Sequence, residues 1–352
     1  MMNISKIDKN FDVSDEISRE GIAFYDIKCE PFSVHGVFYE NGAYVRMPDS
    51  VAASVSDGVR ILAKNTAGGR VRFITDSPYI AVKAVQKGRP DMSHMPATGQ
   101  AGIDLYENIN GEEIFSKTFI PESKDGGFER IYDFSTSGEH NVTLNLPLYF
   151  NLCELYIGLK KGSSVKKAPD YSVKVPIVYY GSSITQGGCA SRPGNSYQGF
   201  LSRWYDADYI NLGFSGNAKG EDNMAEYIAS LDMSCFVYDY DHNAPSARHL
   251  ELTHEKFYKI IRAAHPDIPI LFMSRPKIYL TEDEKLRSDI VYKTYRAALS
   301  RGENVYHIFS NELMELSGDE GTVDGCHPTD LGFFSMAKRI KLEFDKFIDK
   351  IR

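Results

Sequence analysis

Val173-Lys174-Val175-Pro176-Ile177-Val178-Tyr179-Tyr180, a β-rich run that ends at Gly181-Ser182-Ser183, is the stretch on which the fold turns. β-Branched and aromatic residues crowd the run, and small residues close it, the pattern of a strand feeding a turn. Behind it, Tyr197, Phe200, Leu201 and Trp204 fall at i, i+3, i+4 and i+7, one face of a helix. The alternation continues downstream. Tyr209-Ile210-Asn211-Leu212 and Cys235-Phe236-Val237-Tyr238 read as second and third strands, Ile268 to Met273 and Val305 to Phe309 as fourth and fifth. Helical faces fall at Phe257, Ile260, Ile261 and Ala264, and at Phe333, Ala337, Ile340 and Phe344, with a charged helix around 282–301 between strands four and five. Strands alternating with helices imply a parallel sheet covered on both faces, a three-layer α/β/α domain.

Up to about residue 165 the pattern is different. Asn41-Gly42 lies between Val37-Phe38-Tyr39 and Tyr44-Val45-Arg46, and Asn110-Gly111 lies between Ile103-Asp104-Leu105-Tyr106 and Ile114-Phe115, both strong hairpin signals. Val142, Leu144 and Leu146 alternate with Asn141, Thr143 and Asn145, as in a half-buried strand, and Ile80, Val82 and Ala84 read similarly. No long helical pattern interrupts this half. An antiparallel β-sandwich of jelly-roll type is expected over residues 1–165 and the α/β domain over 166–352, with the polar Lys160-Lys161-Gly162-Ser163-Ser164 as linker.

Composition narrows the partners. Among 352 residues, Asp plus Glu number 48 and Lys plus Arg 40, a net charge of −8 that argues against nucleic acid. No apolar run approaches the ~20 residues of a membrane span. The opening Met1-Met2-Asn3-Ile4-Ser5 lacks the apolar core of a signal peptide. Cys29, Cys153, Cys189, Cys235 and Cys326 are scattered, with no Cys-x-x-Cys pair, which fits reduced thiols in a cytoplasmic protein better than disulfides or zinc. The reading allows a homo-oligomer.

Ligands of open α/β sheets bind beyond the carboxyl ends of the strands. The segments there are Gly181-Ser182-Ser183-Ile184-Thr185, Gly213-Phe214-Ser215-Gly216-Asn217, Asp239-Tyr240-Asp241-His242-Asn243 and, at the start of the last helix, Asp324-Gly325-Cys326-His327-Pro328. They supply a hydroxyl, a glycine N–H, a carboxamide and an Asp/His pair, the inventory of serine acyl transfer. Ser183 would expose its hydroxyl at a strand-to-helix turn. Asp324 and His327, three apart, can point the same way, so that the carboxylate fixes the imidazole tautomer. Pro328 suits the first position of the following helix. This chemistry requires no metal or organic cofactor.

These blocks resemble those of the SGNH or GDSL-like hydrolases: Gly-Ser-Ser-Ile-Thr at 181–185, Asn-Leu-Gly-Phe-Ser-Gly at 211–216, Asp-His-Asn at 241–243 and Asp-Gly-Cys-His-Pro at 324–328. The resemblance implies a flavodoxin-like domain with Ser183 as nucleophile and Asp324 and His327 as acid and base. Gly216, Asn243 and the N–H of Ser183 would be the oxyanion donors. The family's usual Gly-Asp-Ser reads Gly-Ser-Ser here, which makes Ser182 a rival nucleophile. Gly102-Ile103-Asp104-Leu105-Tyr106 matches the Gly-x-Asp-Leu-Tyr signature of a subgroup whose catalytic domain follows a β-sandwich, and Leu146-Pro147-Leu148-Tyr149 fits its last strand. Members resembling this arrangement are carbohydrate O-acetyl esterases, which implies acetylated oligosaccharides, manno-oligosaccharides among them, as substrate.

Duller readings stand beside these. Gly216 fits a β-turn, Asn243 a helix cap, and Asp324 with His327 a structural pair. His242, His249 and His254 read as surface helix histidines rather than metal ligands. Trp204 reads as core packing, Cys326 as packing, and the charged stretch 281–288 as a solvated helix face. Arg275 fits either a substrate contact or a surface ion pair, and His242 is a further candidate contact. The segment 88–99, rich in glycine and proline, is expected to project as a loop whose Arg89, Met92, His94 and Met95 either wall the cleft or do nothing. Two rival functions are an acyltransferase, which would use the same residues, and a carbohydrate-binding protein with an inactive hydrolase half, against which the complete blocks count.

Overall fold

The computed structural model describes residues 17, 19–88, 90–122 and 125–352, so residues 1–10 and Arg89 lie outside the described residues. The second half carries five parallel strands: β1 (Val173–Gly181), β2 (Ala207–Gly213), β3 (Cys235–Asp239), β4 (Ile270–Met273) and β5 (Val305–Ile308), in the order β2-β1-β3-β4-β5. Successive residues of β1 face opposite layers. Ile177 and Tyr179 pack with Leu201 and Tyr205 of helix α2 (Tyr197–Tyr205) and with Phe333, Met336 and Ile340 of the last helix (Asp330–Phe344). Val178 and Tyr180 pack under the helices Asp222–Ala229, Ala247–Ala264 and Glu282–Ser300. Burial on both faces is why the strands read as apolar runs rather than as alternations. Among the described residues no helix is long and apolar enough to cross a membrane.

In the first half, among the described residues, two antiparallel sheets, of four and six strands, enclose a separate core that includes Phe73, Val82, Leu105, Val142, Leu144 and Ile157, and a two-stranded hairpin stands apart from them. Both hairpins form where expected, with Asn41 and Asn110 at φ 51° and 55°. Two expectations are corrected, and one feature is added. The Val142–Leu146 region is buried on both faces, because Thr143 donates to Glu113 at 2.6 Å and Asn145 to Asp104 at 2.7 Å, so its polar residues have partners inside. Two short helices, Asp49–Val55 and Asp57–Leu62, interrupt the strands, and Ser56 separates them while capping the second through the Val59 N–H at 3.1 Å. The last helix starts at Asp330 with Thr329 as its cap, so Pro328 precedes the helix and instead bridges to Thr322.

The Gly-x-Asp-Leu-Tyr stretch fastens one half to the other. Asp104 is fully buried, and besides Asn145 it accepts from the Gly194 N–H at 2.7 Å and the Arg192 guanidinium at 3.2 Å. Tyr106 extends the latch, its hydroxyl bonded to Arg192 and its ring 4.3 Å from the Arg203 guanidinium. Gly102 admits no side chain, since a Cβ there would lie 2.4 Å from the Thr98 carbonyl oxygen.

Candidate active site

Register brings three of the loops to one level. Gly181 pairs with Gly213 on one side and with Asp239 on the other, so the segments after β1, β2 and β3 leave the sheet side by side. After β1 the chain turns directly into helix α1 (Ser183–Gln186). Ser182 caps this helix, its fully buried hydroxyl accepting from the Ile184 N–H at 3.1 Å. Its burial and this capping bond set the Ser182 hydroxyl apart from that of Ser183. Ser183, the first helical residue, has an N–H that the helix does not use, and its Oγ lies 2.9 Å from Nε2 of His327.

His327 Nδ1 lies 2.7 Å from Oδ2 of Asp324, while Oδ1 of Asp324 accepts from the backbone N–H groups of His327 at 2.8 Å and Cys326 at 2.9 Å. Partial burial raises the Asp324 pKa, but these hydrogen bonds outweigh it and hold the carboxyl down at about 2. An ionised carboxylate only accepts, so Nδ1 of His327 carries a proton and Nε2 is the acceptor for the Ser183 hydroxyl.

Gly216 sits at φ +66°, a left-handed conformation, and a Cβ built there would meet nothing within 4 Å, so its backbone borders open space. Asn243 accepts the Ala218 N–H at 3.4 Å through Oδ1. That bond fixes the amide's orientation and leaves the N–H2 side to donate elsewhere. Asp241 organises the same loop: Oδ1 accepts from the backbone of His242 at 2.8 Å and Oδ2 from the Arg275 N–H at 3.3 Å, while Arg287 donates to its carbonyl at 2.9 Å.

The further candidates divide. His94 is present at the site, its ring 5.7 Å from the His327 ring. Its segment is less free than its composition suggests. Gln100 donates to the carbonyls of Met92 at 3.0 Å and Met95 at 2.6 Å and accepts from the N–H groups of Asp91 and Met92, while Met95 is buried with Ile184 and Cys189. Arg275 is half withdrawn, since its guanidinium donates to Glu284 at 2.6 Å, which also removes Glu284 from the solvated face expected for 281–288. His242 is held back from the open part of the site: its ring bonds Asp241 at 2.9 Å and its Nε2 is buried. His254 is no surface histidine either; it is fully buried, stacked on Tyr238 and bonded to Thr294 at 2.9 Å, and burial lowers its pKa to about 3. Trp204 packs against Phe200 and Phe334.

Two supports went unread in the sequence. Tyr149 donates to the Ser183 carbonyl at 3.0 Å, and Gln186 accepts the Ser215 N–H at 3.0 Å while donating to Asn65 at 3.0 Å. Both partners are distant in the chain, and the only sequence trace was that Tyr149 ends the Leu146-Pro147-Leu148-Tyr149 motif.

Comparison with known proteins identifies the family. The GDSL-like lipase/acylhydrolase family model matches residues 174–343, and the model for the N-terminus of SGNH-hydrolase-type esterases matches residues 22–165. No curated protein matches. Among solved structures, a protein of Bacteroides ovatus ATCC 8483 assigned as a GDSL-like lipase is 31% identical, with a TM-score of 0.84 over 93% of this chain and 98% of its own. The salicylyl-acyltransferase SsfX3 of a tetracycline biosynthetic pathway shares the fold at 21% identity, TM-score 0.76, over 94% and 98% of the two chains. So does an acetyl xylan esterase of the rumen bacterium Butyrivibrio proteoclasticus, at 15% identity, TM-score 0.56, over 93% and 99%. With that overall match and both family models in register with the two halves, this chain belongs to the GDSL-like lipase/acylhydrolase family.

Proposed function

We propose that this esterase removes acetyl groups from carbohydrate through an acyl-enzyme on Ser183. The observation that carries the reading is the hydrogen-bonded relay of Ser183 Oγ, the His327 ring and Asp324, at 2.9 and 2.7 Å. His327 Nε2 takes the hydroxyl proton as Ser183 attacks the ester carbonyl, and Asp324 stabilises the imidazolium. The N–H groups of Ser183 and Gly216 and the amide of Asn243 receive the oxyanion. His327 then protonates the departing sugar hydroxyl, and water repeats the sequence on the acyl-enzyme. The sugar assignment is supported by the resemblance of the two-domain arrangement to carbohydrate O-acetyl esterases, and short acetylated oligosaccharides in a reducing cytoplasm are the proposed substrates.

The test combines labelling with product analysis. A serine-directed phosphonate should modify Ser183, and a panel of acetylated oligosaccharides followed by mass spectrometry should show loss of acetyl groups. Modification of Ser182 would overturn the nucleophile. Transfer of the acyl group to an added alcohol in preference to water would make the enzyme an acyltransferase. Asn243→Ala should lower kcat by roughly 10²–10³ with little change in KM, because the oxyanion charge develops only in the transition state. A raised KM at unchanged kcat would make Asn243 a ground-state contact instead.

A further inference from the structure

The edge of the catalytic sheet is closed by two buried arginines from the other half. Among the described residues strand β2 has a sheet partner on one side only, so alternate carbonyls along its outer edge need other donors. Arg70, 1% exposed, donates to the Tyr209 carbonyl at 3.0 Å, and Arg46, 2% exposed, donates to those of Asn211 at 3.1 Å and Gly213 at 2.7 Å. The two differ in their other partners. Arg70 also pairs with the Asp208 carboxylate. Arg46 donates to the carbonyls of Asn65 at 2.8 Å and Leu62 at 2.6 Å, and among the described residues no carboxylate pairs with it. Its guanidinium lies 4.8 Å from the Phe214 ring centre, beneath the turn that runs from Gly213 to Gly216.

A buried cation without a counter-charge is costly, and it is retained here while its guanidinium donates to four carbonyls, two of them on β2. Through Gly213 and Phe214 it holds the start of the turn that ends at Gly216, the oxyanion donor of the proposed reaction. We propose that Arg46 is a positioning residue for the oxyanion side of the site. It fixes the Gly213–Gly216 turn so that the Gly216 N–H stays aimed at the forming oxyanion, and its positive charge favours that oxygen. The inference rests on the esterase reading of Ser183 and Gly216.

The test compares Arg46→Lys with Arg70→Lys in the full chain, measuring melting temperature, kcat and KM on a small aryl acetate. Lysine keeps the charge but cannot span both β2 carbonyls as the guanidinium does. Arg46→Lys is expected to lose kcat by about tenfold or more at nearly unchanged KM, as misplaced transition-state donors do. Arg70→Lys is expected to lower the melting temperature while keeping kcat within about twofold, the scatter of a merely structural change. Added guanidinium should restore part of the kcat of Arg46→Ala. If Arg46→Lys does not fold, Phe214→Leu removes the stacked ring and leaves the carbonyls bonded, and it should still lower kcat. Unchanged kcat in the folded variant, or an equal kcat loss in Arg70→Lys, would overturn the proposal. A wild type that neither cleaves aryl acetate nor takes the phosphonate on Ser183 would fail the esterase reading and this inference with it, whereas an active wild type with an unimpaired variant fails the inference alone.

Discussion

The Ser182 hydroxyl is spent on the N-terminal turn of α1, while the Ser183 hydroxyl meets His327, so neighbouring residues of one chemistry have separate consequences. Ser183→Ala should abolish esterase activity and leave the melting temperature close to that of the wild type. Ser182→Ala removes a cap, which costs about 1 kcal/mol, and should keep most of the activity. Parallel aryl acetate assays and thermal melts check both, and an inactive but stable Ser182→Ala would sink the distinction. Asp239 gives a pH signature. Burial, the largest influence, raises its pKa to about 7, with Asp241 adding to the rise and His242 opposing it, while Thr185 donates to Oδ2 at 3.0 Å and Oδ1 has no partner. The protonated carboxyl is the form the fold favours, so its contribution to stability is complete below the unfolded value of about 3.9 and is lost as pH rises through about 7. Asp239→Asn keeps an acceptor for Thr185 and does not ionise. It should therefore melt with the wild type near pH 4 and above it at pH 8, and equal melting temperatures at both pH values would refute the argument.

The elements that the sequence revealed are those whose burial leaves a local trace. The five parallel strands read as apolar runs because both faces are covered, and three of the four blocks could be found because they follow a strand end directly, the fourth because it precedes the last helix. The helices Asp49–Val55 and Asp57–Leu62 escaped because neither spans enough turns to display a period, and Asp222–Ala229 is similarly short. Thr143, Asn145 and His254 were misread for another reason: their partners Glu113, Asp104 and Thr294 lie far along the chain, so a buried polar residue looked like an exposed one. The 88–99 segment combines both limits, since its glycines and prolines announce a loop but neither the four hydrogen bonds to Gln100 that brace it nor the burial of Met95 with Ile184 and Cys189 of the catalytic half. Gln100→Ala should release that segment and move His94 from its place beside His327. The expected result is a several-fold higher KM for an acetylated oligosaccharide with unaltered kinetics on a small aryl acetate, read by steady-state assays on both substrates. Identical KM values for the oligosaccharide in variant and wild type would rule the segment out as part of the cleft.

At the scale of the molecule, the β-sandwich completes the catalytic sheet rather than standing beside it. Arg46 and Arg70 supply the donors that a sixth strand would have given to the outer edge of β2, Asp104 takes the Gly194 N–H and the Arg192 charge, and Met95 enters the core around Ile184. Each of these contacts buries a polar or apolar group that would be exposed or unsatisfied if the halves separated. The halves should therefore unfold together. The one tryptophan, Trp204, lies on α2 and reports the catalytic half alone, whereas far-ultraviolet circular dichroism reports both halves. In a guanidinium titration the two probes should give coincident midpoints, the mark of a single cooperative transition. Arg70→Met should then displace both midpoints together, because it leaves the Tyr209 carbonyl without its buried donor and Asp208 with His35 but without its arginine, a loss of about 1–3 kcal/mol for an unsatisfied buried group. If the Trp204 transition stays in place while circular dichroism shifts, or the wild type unfolds in two separate steps, the sandwich is an independent attachment and the edge-closing role assigned to its arginines is wrong.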